Sequence, residues 1–256
     1  MITFVIFIKL GVVMVVLKVV LYILLALFAL IMLWFLPCFF YSLPIKKKVY
    51  KKSHAFARLA GAITCWGAFF FTRSHVKVVG KEKIPKDTRF VYVANHVSRF
   101  DPMVILYKLS SYRIGFISKP SNFKIPFFGK IIRKMCFLEI NREDPKKALA
   151  TVNDAIDILK AGEASIGLYP EGTRSKDGKL GPFHGFMFRI PHQAEVPVVV
   201  AVTRGTEEVA KRFPFPGGAR IEIKIIDVLD VEYVKSHRPV EISERVEALI
   251  RNELGQ

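Results

Sequence analysis

The sequence predicts an α/β domain, a mixed β-sheet flanked by helices, behind an N-terminal apolar membrane-anchoring helical segment. Three observations lead there. From residue 75 onward short runs rich in Val, Ile, Phe and Tyr alternate with helical patterns; residues 1–44 carry no acidic group; and no repeat or low-complexity linker interrupts the chain. At 256 residues one domain with an accessory segment is the natural size class. The expected division is 1–74 as membrane anchor and interfacial helices and 75–256 as the α/β domain.

The anchor comes first. From Val19 to Tyr41 no charged residue occurs, and a helix of about 20 such residues crosses the hydrocarbon layer. A signal peptide has a shorter apolar core of roughly 7–15 residues and a small-residue cleavage site, so a retained anchor is expected. Its shape is open between a single span and two helices, broken at Lys9 and Pro37, that remain in one leaflet. Lys46, Lys47, Lys48, Lys51 and Lys52 follow, and the positive-inside tendency keeps such a cluster, with the domain behind it, on the cytoplasmic side. The next apolar run, FARLAGAITCWGAFFF from Phe56 to Phe71, suits either a helix lying in the membrane interface or a buried core helix.

Strands are then expected at 75–80, 90–95, 112–118, 136–141, 165–169, 196–202 and 220–225. In the last of these Ile221, Ile223 and Ile225 alternate with Arg220, Glu222 and Lys224, the period of a half-buried strand. Between the fourth and fifth lies the clearest helix. Asp144 is placed to cap it, Pro145 suits its first position, and Ala148, Val152, Ala155, Ile156 and Leu159 form its apolar stripe before Gly162. Residues 240–254 read as a closing helix.

Lys and Arg outnumber Asp and Glu by 39 to 22, a net charge of +17 that attracts anions. With an anchor present, a phospholipid bilayer containing anionic lipid is the expected partner. Nucleic acid is not expected, because no aromatic-basic, zinc-finger or helix-turn-helix pattern occurs. Cys38, Cys65 and Cys136 are too few and scattered for a disulfide framework, and the six histidines lack metal-ligand spacing.

Chemistry is expected at strand ends, where the loops of open α/β sheets carry ligands. In NHVSRFDP, His96 emerges from an apolar strand with Asp101 five residues on. A carboxylate holding one ring nitrogen leaves the other free to accept a proton, and Ser98 lacks a nucleophile elbow, so a base acting on a substrate hydroxyl is the better reading. In YPEGTRS, Gly172 permits a tight turn, Thr173 can donate, and Arg174 brings a planar fork suited to phosphate. Glu171 could anchor a basic partner or bind a substrate hydroxyl. Lys119 and Arg142 also stand at strand ends, where they could converge with Arg174 on one anionic substrate.

Together these blocks resemble the membrane-associated glycerolipid acyltransferases, most closely the 1-acyl-glycerol-3-phosphate acyltransferases. Asn95, His96 and Asp101 stand for the family's first block, FLEINR ending at Arg142 for its second, YPEGTRS for its third with Tyr169 in place of Phe, and VPVVVAV from Val196 for its fourth. One departure lies between the last two, where the family's Phe-Lys-x-Gly is replaced by Phe183, His184, Gly185 and Phe186. The resemblance implies transfer of an acyl group from acyl-CoA or acyl-carrier protein to the sn-2 hydroxyl of lysophosphatidic acid, forming phosphatidic acid. His96 and Asp101 would be catalytic, and Lys119, Arg142, Glu171, Gly172, Thr173 and Arg174 would bind substrate. No cofactor, metal or covalent acyl-enzyme is implied. Another lysophospholipid or glycerol-3-phosphate as acceptor, and a non-catalytic lipid-binding protein, are the alternatives.

Overall fold

The structure, a computed structural model, describes residues 2–175 and 179–256. It divides into two compact units, Met1–Ile45 and Lys46–Gln256. The first is a helix, α1 (Ile2–Ser42), which runs unbroken through Lys9 and Pro37. Its Gly11–Ser42 portion is long and apolar enough to cross a membrane by length and composition.

The second unit opens with α2 (Ala55–Phe71), which moves the boundary expected at residue 74 back to residue 45. The cause is a face of mostly small residues: Ala57, Ala60, Gly61, Cys65 and Phe69 are buried. Arg58 ties the helix down further, donating to the carbonyls of Ile114 and Met135 at 2.6 Å each. Burial pulls its guanidinium pKa down to about 10. On the opposite side Leu59, Trp66 and Phe70 remain exposed, so the helix is a core helix on one face and an uncovered apolar surface on the other.

The remaining elements are β1 (His75–Val79), β2 (Val91–Ala94), α3 (Asp101–Lys108), β3 (Ile114–Ser118), α4 (Phe128–Arg133), β4 (Leu138–Glu139), α5 (Pro145–Lys160), β5 (Ser165–Leu168), α6 (Arg189–Ala194), β6 (Val198–Arg204), α7 (Thr206–Arg212), β7 (Arg220–Leu229), α8 (Val231–Ser236) and α9 (Pro239–Leu254). The sheet order is β1-β7-β6-β2-β5-β3-β4. From β6 to β4 every pair is parallel, whereas β7 runs antiparallel to β6 and parallel to β1. The sheet is therefore mixed, as expected, and β2 through β6 all deliver their C-terminal ends to one edge.

Two expected strands are shortened by their flanks. Tyr112 belongs to a 3-10 turn and Arg113 is left-handed, so β3 starts at Ile114. Left-handed Cys136 similarly delays β4 to Leu138. The helix at 145–160 forms as read, with the Asp144 carboxylate accepting from Lys146 N and Lys147 N and with Val152, Ala155, Ile156 and Leu159 buried. Together with Val246 and Ile250 of α9 these side chains build the core on one face of the sheet, while Phe69 and Ile105 lie in the core that α2 and α3 contribute.

The step from β6 into α7 is tight. Gly205 has φ +86°, and a Cβ there would meet the Arg220 carbonyl oxygen at 2.1 Å. Because both the backbone angle and the space exclude a side chain, Gly205→Ala is expected to destabilise the domain by roughly 1–3 kcal/mol. A lowered unfolding midpoint in detergent checks this; an unchanged midpoint would show that the turn relaxes freely.

Candidate functional site

The loops leaving β2 and β5 are stitched together before any substrate is considered. Asn95, buried at the end of β2, donates to Thr203 O at 3.0 Å and accepts from Thr203 N at 2.8 Å, which locks β2 to β6. Ser175 N donates to His96 O at 2.8 Å. The Glu171 carboxylate accepts from His96 N at 2.6 Å through one oxygen and from Gly181 N at 2.9 Å through the other. Glu171 therefore engages the protein's own backbone rather than standing free for a basic partner or a substrate hydroxyl. Burial raises its pKa, against the opposing pull of those two backbone hydrogen bonds.

Asp101 is completely buried at the start of α3. One of its oxygens accepts from His96 Nδ1 at 2.7 Å, Val97 N at 2.9 Å and Ser98 N at 2.8 Å. The other accepts from the hydroxyl of Thr206, the first residue of α7. Four donors offset the desolvation of the carboxylate. Because an ionised carboxylate can only accept, Nδ1 carries the proton and Nε2 is left as the acceptor. The imidazole stacks on Tyr169 at 4.3 Å between centroids, and Tyr169 stacks on Phe116 at 5.4 Å. Burial holds the Tyr169 phenol well above its ordinary pKa, so the ring beneath the histidine stays neutral.

Gly172 is left-handed at φ +71°, and the space its missing Cβ leaves is bordered by Arg142 Nη1 at 3.1 Å and His184 Nε2 at 3.1 Å. The structure thus brings His96, Asp101, Glu171, Gly172 and Arg142 into one linked set of loops. It adds His184 beside Arg142, at the position where the sequence departs from its resemblance. Lys119, Thr173 and Arg174 lie on loops at the same sheet edge and are exposed. Among the described residues, no side-chain hydrogen bond or ion pair occupies Lys119, Arg142 or Arg174. By contrast Lys51, counted in the lysine cluster, pairs with Asp154 at 3.0 Å and Asp157 at 2.8 Å. Sequence reading missed Thr206; its one local signal was a Gly-Thr step after an apolar strand, which does not reveal a partner 105 positions away.

A histidine–carboxylate pair thus follows a central strand of an α/β sheet, with uncommitted cations on neighbouring loops. The comparisons specify the family. Residues 75–204, just over half of the chain, match the Acyltransferase family model, and the chain belongs to that family. It is 37% identical to the chloroplastic 1-acyl-sn-glycerol-3-phosphate acyltransferase of Brassica napus over 62% of this chain and 44% of that protein. With the enzyme of that name from Haemophilus influenzae it shares 27% identity over 69% of this chain and 74% of the other. The crystal structure of the 1-acyl-sn-glycerophosphate acyltransferase of Thermotoga maritima superposes with TM-score 0.61 at 27% identity, covering 85% of this chain and 86% of that one. The alignments with the Brassica napus protein and its Arabidopsis thaliana counterpart each span 44% of the relative's length.

Two outcomes follow from the hydrogen bonds. Thr206→Val keeps the side-chain shape but leaves the second Asp101 oxygen unpaired; a lost bond to a charged group is worth about 1.5–3 kcal/mol, so turnover should fall roughly 10–100-fold, with Thr206→Ser largely restoring it. Steady-state kinetics of both variants measure this. For Glu171 the sign is set by its raised pKa: its stabilising contribution is present below the ordinary carboxylate range and is lost as pH rises through the folded-state value. The stability of the wild type relative to Glu171→Gln should therefore be greater at about pH 4.5 than at about pH 7.5, measured by unfolding at both.

Proposed function

We propose that this protein transfers a fatty acyl group from a thioester, acyl-CoA or acyl-carrier protein, to the sn-2 hydroxyl of 1-acyl-glycerol-3-phosphate. The observation that carries the reading is the His96–Asp101 pair, 2.7 Å apart, in loops that also bring Arg142 to Gly172. The relatives' names supply the acceptor: those proteins are acyltransferases of 1-acyl-glycerol-3-phosphate.

In this mechanism Nε2 of His96 takes the proton of the sn-2 hydroxyl as that oxygen attacks the thioester carbonyl. The tetrahedral intermediate collapses, the C–S bond breaks, and the imidazolium returns the proton to the departing thiolate. Asp101 holds the ring in the required tautomer and stabilises the imidazolium. Arg142 and Arg174, with Lys119 and the backbone at Gly172 and Thr173, hold the phosphate, and Glu171 keeps its loop in place beside His96. The step balances without a metal, cofactor or acyl-enzyme. His184, whose Nε2 borders the same space at Gly172 as Arg142, adds a ring nitrogen to this phosphate pocket.

The membrane supplies the acceptor and retains the product. The apolar length of α1 supports attachment to a bilayer, and Lys46, Lys47, Lys48 and Lys52 favour a cytoplasm-facing membrane with the catalytic domain in the cytoplasm. Leaving the acyl chains in the leaflet avoids a desorption cost of about 0.8 kcal/mol per CH₂.

His96→Ala is expected to lower turnover roughly 10²–10⁴-fold without unfolding the domain; more than a tenth of wild-type turnover would remove His96 from the mechanism. Arg142→Ala and Arg174→Ala should raise KM for lysophosphatidic acid far more than for the donor. Mixed-micelle kinetics with each substrate varied, and mass spectrometry of the product, decide both points. A loss confined to donor use would reassign these arginines to the phosphates of coenzyme A or to an acidic carrier protein.

A further inference from the structure

The sheet topology places two more apolar segments at the catalytic edge. β7 runs antiparallel to β6, with Glu222 opposite Arg204, so Arg220 lies beyond the C-terminal end of β6. His75 pairs with Arg220, so β1 also starts at that edge. The last turn of α2 and the loop 213–219 therefore arrive at the end of the sheet that carries His96. Both present aromatic rings there: Phe70 is 72% exposed, Phe71 58%, Phe215 73% and Phe213 42%.

These rings are held outward. Arg212 Nη1 donates to the carbonyls of Gly217 and Gly218 at 2.8 Å each, and Phe215 N donates to Arg212 O at 2.9 Å. Gly218 N donates to Thr72 O at 3.0 Å, which fastens the loop to the end of α2. Phe213 packs on Phe100 at 5.4 Å, and Phe100 packs on Phe69 at 6.3 Å, so a file of rings connects the rim to the core. Arg99, three residues after His96, lies over both Phe100 and Phe213 at 5.5 and 5.7 Å. Arg73 is exposed at the end of α2. Glu208, within α7, pairs with Lys211 at 2.8 Å and Arg212 at 3.6 Å.

We propose that Phe213 and Phe215, with the last turn of α2, form an apolar rim that enters the interface of a bilayer carrying anionic head groups, bringing the His96 edge to the head-group plane. The proposal rests on the membrane location argued above and not on the identity of the reaction. Exposed aromatic rings fixed by backbone hydrogen bonds gain by leaving water, and guanidinium groups beside them match anionic head groups. Trp66, stacked on Phe70 at 5.3 Å one turn earlier, continues the aromatic strip along α2.

The test places a nitroxide spin label on the full chain, reconstituted in vesicles of phosphatidylcholine and phosphatidylglycerol. Cys65 and Cys136 are buried, and Cys38→Ala removes the third thiol. In that background Phe215→Cys carries the label, and Val240→Cys, exposed at the start of α9 on the opposite edge, serves as reference. The ratio of accessibility to oxygen over a neutral nickel chelate should be several-fold higher at 215 than at 240, and should fall in vesicles of phosphatidylcholine alone. Equal ratios at the two positions would overturn the proposal. So would dipolar broadening at 215 that grows with protein density, which would assign the rim to a second copy of the chain. Acyl transfer measured in the same vesicles separates the two readings: lipid contact without activity leaves the rim standing and removes the reaction, and activity with a water-exposed label does the reverse.

Discussion

Everything at the His96 edge of the sheet depends on keeping one carboxylate out of water. Asp101 is fully buried, and an isolated charge in that position would not survive burial. Its four donors come from His96, from the backbone of the following turn at Val97 and Ser98, and from Thr206 on α7. Those partners fix the entry to α3, the tautomer of His96 and the position of α7 beside β2 at once. The Asn95 side chain repeats the logic one residue earlier, binding both backbone groups of Thr203. The site is thus held by long-range polar contacts between strand ends, in a region where aromatic stacking from Phe116 through Tyr169 supplies the remaining support.

Much of the architecture was legible because it has a local cause. Seven β-rich runs became seven strands, and the Asp144 and Pro145 signals produced the expected α5. The His96–Asp101 contact was legible for the same reason, since five residues separate the partners across a single turn. What stayed hidden is non-local. The strand order, with β5 inserted between β2 and β3, follows from packing and crossover direction rather than from any one segment. Thr206 and the backbone role of Glu171 depend on that order. α2 was open between two readings because its composition is apolar all round; its small residues decide which side packs, and Arg58 reaches carbonyls far along the chain.

Charge sorts into two populations that composition merges. Lys51, Arg133, Arg204 and Lys224 are engaged with carboxylates. Arg142, Lys119 and Arg174 sit on loops at the His96 edge without such partners among the described residues. A cation left unpaired on a folded surface keeps its full capacity for an incoming anion, and the strong positive balance of the chain makes that sparing possible.

The reversal of β1 and β7 also divides labour between the two ends of the sheet. The segments 80–90, 109–113, 161–164 and 194–197 all turn at the edge away from His96. Left-handed Arg113 and Glu195 fall in two of them, where the chain turns sharply into β3 and β6. An epitope tag placed in an exposed part of one of these turns would therefore sit a full strand length from His96, where surface loops best tolerate added residues.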